Sequence, residues 1–466
     1  MFALIASFAL IQDRPATLDL TILHTNDVHG HMFPFAYVEV GKSKVEMPSV
    51  GGDARRATLI RRLKASIHNP VIVVDSGDTF TRGPLTNAYE GIADIEGMNA
   101  IGYEIACIGN NEFKAKDARE QGDAAGAQAA LLRVVKRSRF PWVCANAKAG
   151  SGSFLEGVQP YVVRELGGVR VGFLGLTAPR SANYPQTKGW TISDPIATAQ
   201  EWIPKARADC DILIAMTHIG VELDLPLVMK THGLDAVVGG DSHTFLYKAL
   251  EIKNTDGVKV PIVQDGEFGA NLGRFDLHFE RGQDGTYHLK RYEYRLIPVG
   301  PDIPEAPDVV AKLEPYLKPM LEVVGVVPAI GKTPEERSLL TAGLVAEAMR
   351  SDTGSDVGLC TTTGLFNVLR HTAVTKYDLW AAMPFKDNVA VAEVKGSVLQ
   401  KLAAMPNVGW AGPKQLQADR TYKVAMVDFE AGSAFKLEKA SLTETDLDER
   451  EAVIQFFGSP SRRGGG

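Results

Sequence analysis

The sequence predicts an α/β protein of two domains, and three observations carry that reading. The chain has 466 residues, 45% hydrophobic and 23% charged, which is globular composition at a length for two or three domains. Short Val/Ile/Leu-rich runs at 18–24, 71–74, 105–108, 169–174, 212–216 and 236–238 alternate with helix-like stretches, including 54–66 and 124–137. Strands covered on both faces by crossover helices have this pattern. The Pro-dotted stretch 298–307 then separates this region from a second unit with helices and strands of its own.

In chain order, the first eleven residues (MFALIASFALI) are almost all apolar. The run is too short to span a bilayer and reads as the apolar part of a secretory signal. Residues 1–16 are therefore expected to be a signal segment, and the protein to be exported to a periplasm, a cell envelope or the exterior. No basic residue precedes the run and no A-x-A site follows it, so an N-terminal strand is the alternative. No other stretch is long and apolar enough to cross a membrane. Residues 17–300 form the first domain, more strand-like at 258–280 and 287–296. Residues 301–325 are expected as a linker, with a charged helical pattern at 308–324 and a hinge somewhere in 298–324. A helix at 340–350 and strands at 389–394 and 422–427 belong to the second domain, 326–458. The Ser/Pro/Arg/Gly tail, 459–466, is expected to be disordered.

A net charge of -6 with a pI near 6.0 argues against nucleic acid as a partner. A small anionic substrate would need a local positive centre, such as bound metal. Cys107, Cys144, Cys210 and Cys360 form no C-x-x-C pair and lie in or beside apolar runs. They are predicted to be small buried hydrophobes.

Five apolar runs each end in a short segment of potential metal ligands. These are Asn26-Asp27-Val28-His29, Asp75-Ser76-Gly77-Asp78, Gly109-Asn110-Asn111-Glu112, Thr217-His218 and Gly239-Gly240-Asp241-Ser242-His243. Open α/β sheets bind ligands outside the carboxyl ends of their strands, so the five segments are expected to meet. Any one of these residues alone would more often be a turn or a cap; the recurrence points to a site. Asp27/His29 and Asp241/His243 are D-x-H pairs, and on an extended segment the two side chains would share one side. Asp78 could bridge two cations. Mixed His, Asp and Asn ligation suits two divalent ions of Mn, Zn, Fe or Co, which would clamp a phosphoryl group and activate a water.

The ordered blocks LTILHTNDVHG, DSGDTF, IGNNEF, MTHIG and GGDSHT resemble those of the bacterial 5'-nucleotidase/2',3'-cyclic phosphodiesterase family. The resemblance runs from about residue 18 to 435. It implies a four-layer metallophosphoesterase β-sandwich flanked by helices, then a smaller α/β C-terminal domain. It also implies secretion and hydrolysis of a small phosphoester, a nucleotide among the candidates. By this resemblance, Asp27, His29, Asp78 and His243 would hold one metal, and Asp78, Asn110, His218 and Asp241 the other. Asp241 replaces the family's histidine. Asn111 and Lys114 replace the histidine and aspartate of the family's catalytic dyad, a loss that costs about 10²–10⁴ in rate where a general acid is needed. His31 is a candidate substitute acid, against the more ordinary role of a structural histidine. Thr361 to Phe366 replace a substrate-contacting N-G-G-G-I-R segment, and a ribose-binding G-G-D element is replaced within Glu430 to Ala434. Phe385 and Phe429 stand where aromatics would sandwich a base, against an alternative role in the core. These departures open two alternatives to nucleotide hydrolysis. One is a different ester, such as a phosphodiester or a sulfur-containing anion; the other is a metal-binding protein without catalysis.

Overall fold

The computed structural model describes residues 14–37, 47–81, 83–114, 123–385, 387–438 and 441–459. The expected signal segment up to residue 13 and the tail from 460 lie outside the described residues.

Two sheets stack face to face in the first domain. One has seven strands in the order Tyr287–Pro298, Asn271–Arg281, Thr17–Thr25, Val71–Asp75, Ile105–Cys107, Trp142–Val143, Val158–Gln159. The other has six, in the order Leu250–Lys253, Lys259–Val263, Ala236–Val238, Ile212–His218, Val169–Thr177, Tyr161–Leu166. The central strands of each sheet run parallel; antiparallel strands close both edges of the six-stranded sheet and one edge of the seven-stranded sheet, whose other edge, Val158–Gln159, is parallel.

Alternation along the strands builds both faces. Leu20, Ile22, Ile72 and Val74 pack with Val171, Phe173, Ile214 and Met216 between the sheets. Leu23, Val73 and Ala106 point the other way, into a cluster with the helices Asp53–Ser66 and Ile92–Ile101. Leu213, Ala215 and Val237 do the same beneath Pro195–Asp209 and Val221–Met229. Each fully buried Leu, Ile or Val contributes about 1.5–3 kcal/mol. The result is the four-layer helix–sheet–sheet–helix architecture the sequence predicts. All four cysteines are buried and free, and no described helix is long and apolar enough to cross a membrane.

Residues of the expected linker form a packed helix. Pro307–Met320 buries Val309, Leu313 and Met320 in the cluster that holds Ile95 and Met98. Their spacing of four and seven makes one apolar stripe, and Pro307 fits the first turn, where no N–H is needed. The next strand, Val323–Val326, already pairs with Ala373–Thr375 of the second domain. The chain therefore crosses between domains at Leu321 and Glu322.

The second domain is a five-stranded sheet in the order Val408–Ala411, Val357–Thr361, Thr421–Val427, Asn388–Lys395, Leu442–Asp448. Pro334–Asp352 and Glu449–Gly458 cover one face, and Gly396–Ala403 lies on the other. Pro334–Asp352 starts at a capping box, in which Glu336 N–H donates to Thr333 Oγ1 and Thr333 N–H to the Glu336 carboxylate.

Candidate metal centre

The predicted ligands lie in loops just past the strand ends, except His218, which is the last residue of the strand Ile212–His218. Five of them have left-handed backbone: Asp27 (φ 51°), His29 (49°), Asp78 (58°), Asp241 (83°) and His243 (54°). The D-x-H pairs are thus tight turns, and the reading of them as extended segments is corrected. Pairing between loops imposes the turns. Asp27 N–H donates to the Gly77 carbonyl at 2.9 Å, His29 N–H to Asp78 at 3.0 Å and Gly30 N–H to Thr79 at 2.8 Å. Left-handed backbone costs an ordinary residue about 1–2 kcal/mol, so these contacts must hold it in place. Gly77 (φ 94°) permits the close approach of a third loop: a Cβ there would lie 2.7 Å from the Gly109 nitrogen.

Five side chains converge. Asp27 Oδ1 lies 3.7 Å from His29 Nε2, 3.8 Å from His218 Nε2 and 3.2 Å from His243 Nε2. Asp78 lies 3.1 Å from His218 Nε2 and 3.7 Å from His29 Nε2. Two triads share Asp27, one with His29 and His243 and one with Asp78 and His218; within each, the ligand atoms lie within 4.8 Å of one another.

Each imidazole is oriented through its other nitrogen. His29 Nδ1–H donates to the Phe80 carbonyl at 3.0 Å and His218 Nδ1–H to the Ser76 carbonyl at 2.8 Å. His243 Nδ1 binds the Glu267 carboxylate. A carbonyl only accepts, so for His29 and His218 the proton is on Nδ1 and the Nε2 lone pair faces the centre. Histidines that ligate metals are held this way.

The donor set fits a divalent cation. Asp27 Oδ1 and His218 Nε2 are buried without a hydrogen-bond partner. Burial opposes a proton on His218, but Asp78 and Asp27 outweigh it and raise the imidazole well above its ordinary value. Burial likewise opposes a proton on His243, yet Asp27 and Glu267 carry it up to about 10. Burial would raise Asp78, but His218 and His29 hold it below the usual carboxylate range. Carboxylates at this depth need positive charge, and a divalent metal would supply it in place of protons.

The two remaining predicted ligands have a partner of their own. Arg180 Nη1 donates to Asp241 Oδ2 at 2.6 Å, and its Nη2 donates to Asn110 Oδ1 at 2.7 Å and to Asp241 Oδ1. Asp241 Oδ1 also lies 3.5 Å from His218 Nε2, so this group borders the five-residue cluster.

The candidate catalytic residues are placed as follows. Asn111 donates twice to Asp78. The Lys114 ammonium lies 4.2 Å from the centre of the Tyr184 ring. His31 Nδ1–H donates to the Val28 carbonyl at 3.1 Å, and its ring packs against Phe35 and Phe268. His31 also lines a cleft of about 690 Å³ between the domains, opposite Phe366, Arg370 and His371. Phe385 meets Phe366 edge-on, with ring centroids 4.9 Å apart. Phe429 is 55% exposed and lines a pocket of about 260 Å³ with Phe366, Glu430 and Glu449. Glu430 accepts from the Thr361 N–H at 3.0 Å, within the segment that replaces the substrate-contacting one.

Sequence reasoning missed Arg180, Glu267 and Phe268 and the parts played by Glu112 and Phe366. Glu112 stands within the quoted IGNNEF block, and its carboxylate accepts from the backbone N–H of Gly109, Asp78, Thr79 and Phe80. Arg180 follows the strand Val169–Thr177, whose C-terminal exit was a sixth place to search for functional residues.

Residues 20–245 match the sequence model of calcineurin-like phosphoesterases, and residues 323–407 that of the 5'-nucleotidase C-terminal domain. The 5'-nucleotidase of Bos taurus is 28% identical over 441 residues, 85% of this chain and 73% of that protein. The trifunctional nucleotide phosphoesterase protein YfkN of Bacillus subtilis is 25% identical over 493 residues, 95% of this chain; the chain spans only 32% of YfkN. The 5'-nucleotidase precursor from Thermus thermophilus shares the fold, with a TM-score of 0.69 and 24% identity over 94% of this chain and 96% of that one. The chain belongs to the calcineurin-like phosphoesterases that carry a 5'-nucleotidase C-terminal domain.

Proposed function

We propose that the chain hydrolyses small phosphoesters at a divalent-metal centre built on Asp27, His29, Asp78, His218 and His243. The observation that carries this reading is the convergence of three anchored imidazoles on two buried carboxylates. Asp27, His29, Asp78 and His243 make a first ligand set. Asp78, His218, Asn110 and Asp241 make a second, of which Asn110 and Asp241 also hold Arg180. Mn, Zn, Fe and Co suit these donors. When bound, such an ion polarises a phosphoryl oxygen and makes a water acidic enough to attack phosphorus near neutral pH.

The chain's own groups supply the rest. Glu112 fixes the Asp78 loop through its backbone N–H groups, and Glu267 orients His243. The interdomain cleft offers Arg370 and His371 to an anionic ester and His31 as the candidate proton donor. Phe429, with Phe385 behind Phe366, is the proposed aromatic surface for a base. The apolar N-terminal run supports export as part of this reading.

A second reading, hydrolysis of esters with acidic leaving groups rather than nucleotides, has a specific observation behind it. Asn111 is committed to Asp78, Lys114 to Tyr184 and Thr361 to Glu430. An acidic leaving group departs without a proton donor. Assays of p-nitrophenyl phosphate, bis-p-nitrophenyl phosphate and AMP in Mn²⁺ separate the readings. Turnover of the activated esters with AMP untouched supports the second, and comparable turnover of AMP supports the first. Failure on all three would refute the hydrolase reading for this substrate class.

A further inference from the structure

Arg180 stands in an unusual place for a cation. It leaves the short helix Pro179–Asn183, which follows the strand Val169–Thr177, and its guanidinium grips Asp241 with both terminal nitrogens. One of those nitrogens also reaches Asn110 Oδ1 at 2.7 Å. A guanidinium fork matches a carboxylate in just this two-point way, and an arginine stays charged at every working pH. Asp241 in turn borders the ligand cluster, 3.5 Å from His218 Nε2.

We propose that Arg180 is a built-in cation that takes the place of a second metal ion, so that the chain binds one divalent ion. This rests on the metal-centre reading above and deepens it. The ligand positions support it. A second ion would need the Asn110 and Asp241 oxygens that already accept from Arg180, and a cation on the same oxygens would face the guanidinium at close range.

The position also suits a substrate role. The Arg180 side chain is 49% exposed while its Asp241 partner is 3% exposed, so one end of the guanidinium is anchored and part of the side chain meets solvent. A phosphoryl oxygen held by the single ion would have an arginine beside it, fixed in advance by Asp241 and Asn110.

The test is metal stoichiometry of the full chain. The protein is stripped with chelator, loaded with Mn²⁺ and freed of excess ion, then measured for metal content and by electron paramagnetic resonance. About one Mn²⁺ per chain is expected, with the spectrum of an isolated ion. Arg180→Met should raise this to about two, with the spectrum of an exchange-coupled pair. Arg180→Met combined with Asp241→His, which supplies a neutral ligand, should do the same. Two ions in the unaltered chain would overturn this inference and leave the metal-centre reading intact. No bound metal would overturn both. A count that stays at one in both variants would overturn the role given to Arg180.

Discussion

Asn111 and Asp78 are joined twice, the Asn111 backbone N–H donating to Oδ1 at 2.8 Å and its carboxamide to Oδ2 at 2.5 Å. An amide in that position steadies the carboxylate but has no proton to give to a departing oxygen. On the proposed function, the same residue would support the metal centre and limit which esters can be cleaved.

Replacing the pair Asn111→His and Lys114→Asp should restore a proton donor with its orienting carboxylate. Turnover of AMP relative to p-nitrophenyl phosphate should rise by about 10² or more, the ordinary worth of a general acid. The ratio of the two kcat/KM values is the readout. An unchanged ratio would mean that leaving-group protonation is not what these positions control.

Glu112 gathers four backbone N–H groups from the Asp78 and Gly109 loops. It is fully buried. Glu112→Gln keeps the shape but turns one acceptor into a donor facing other donors. A loss of about 2–4 kcal/mol in unfolding free energy is expected. Urea denaturation of metal-free protein measures it, and a loss under about 0.5 kcal/mol would refute the role.

Glu267 acts on metal through His243 alone in this account. Glu267→Ala should weaken divalent-ion affinity by about 10–100-fold and leave the fold intact. Competition against a chromophoric chelator gives the affinity, and circular dichroism checks the fold.

Asp224 is fully buried against Gly239, and burial pushes its carboxyl up to about 7. Above the unfolded-state value near 4, the folded chain keeps a proton that the unfolded chain releases. The group's contribution to stability is thus fully present below about pH 4 and is lost as pH rises to about 7. Asp224→Asn mimics the protonated form at every pH. Its unfolding free energy should pull ahead of the unaltered chain's by up to about 4 kcal/mol across that window and then hold level. A gap independent of pH would show that Asp224 does not titrate there.

Buried parallel strands are continuous apolar runs, so six of the parallel strands of the first domain, and the polar segments after five of them, were legible in the sequence. What escaped it was set by partners far along the chain. Arg180 lies 70 and 61 positions from Asn110 and Asp241, in a segment with no ligand-type residue to mark it. The left-handed turns at Asp27 and His29 come from pairing with the 77–79 loop, which overrides the extended conformation a D-x-H pattern suggests. Glu267 and Phe268 fall in a loop between Lys259–Val263 and Asn271–Arg281, inside a stretch that reads as strand. The prolines of 301–325 suggest a linker. Yet Pro307 opens the helix, and the apolar stripe of Val309, Leu313 and Met320 carries it into the core.

The centre's dependence on metal is tested most directly by stripping the chain with chelator and following p-nitrophenyl phosphate hydrolysis as Mn²⁺, Zn²⁺ or Co²⁺ is returned. The stripped chain should be inactive, at least one of these ions should restore turnover, and Asp78→Asn should stay inactive throughout. Full activity in the stripped chain, or in Asp78→Asn, would contradict the account.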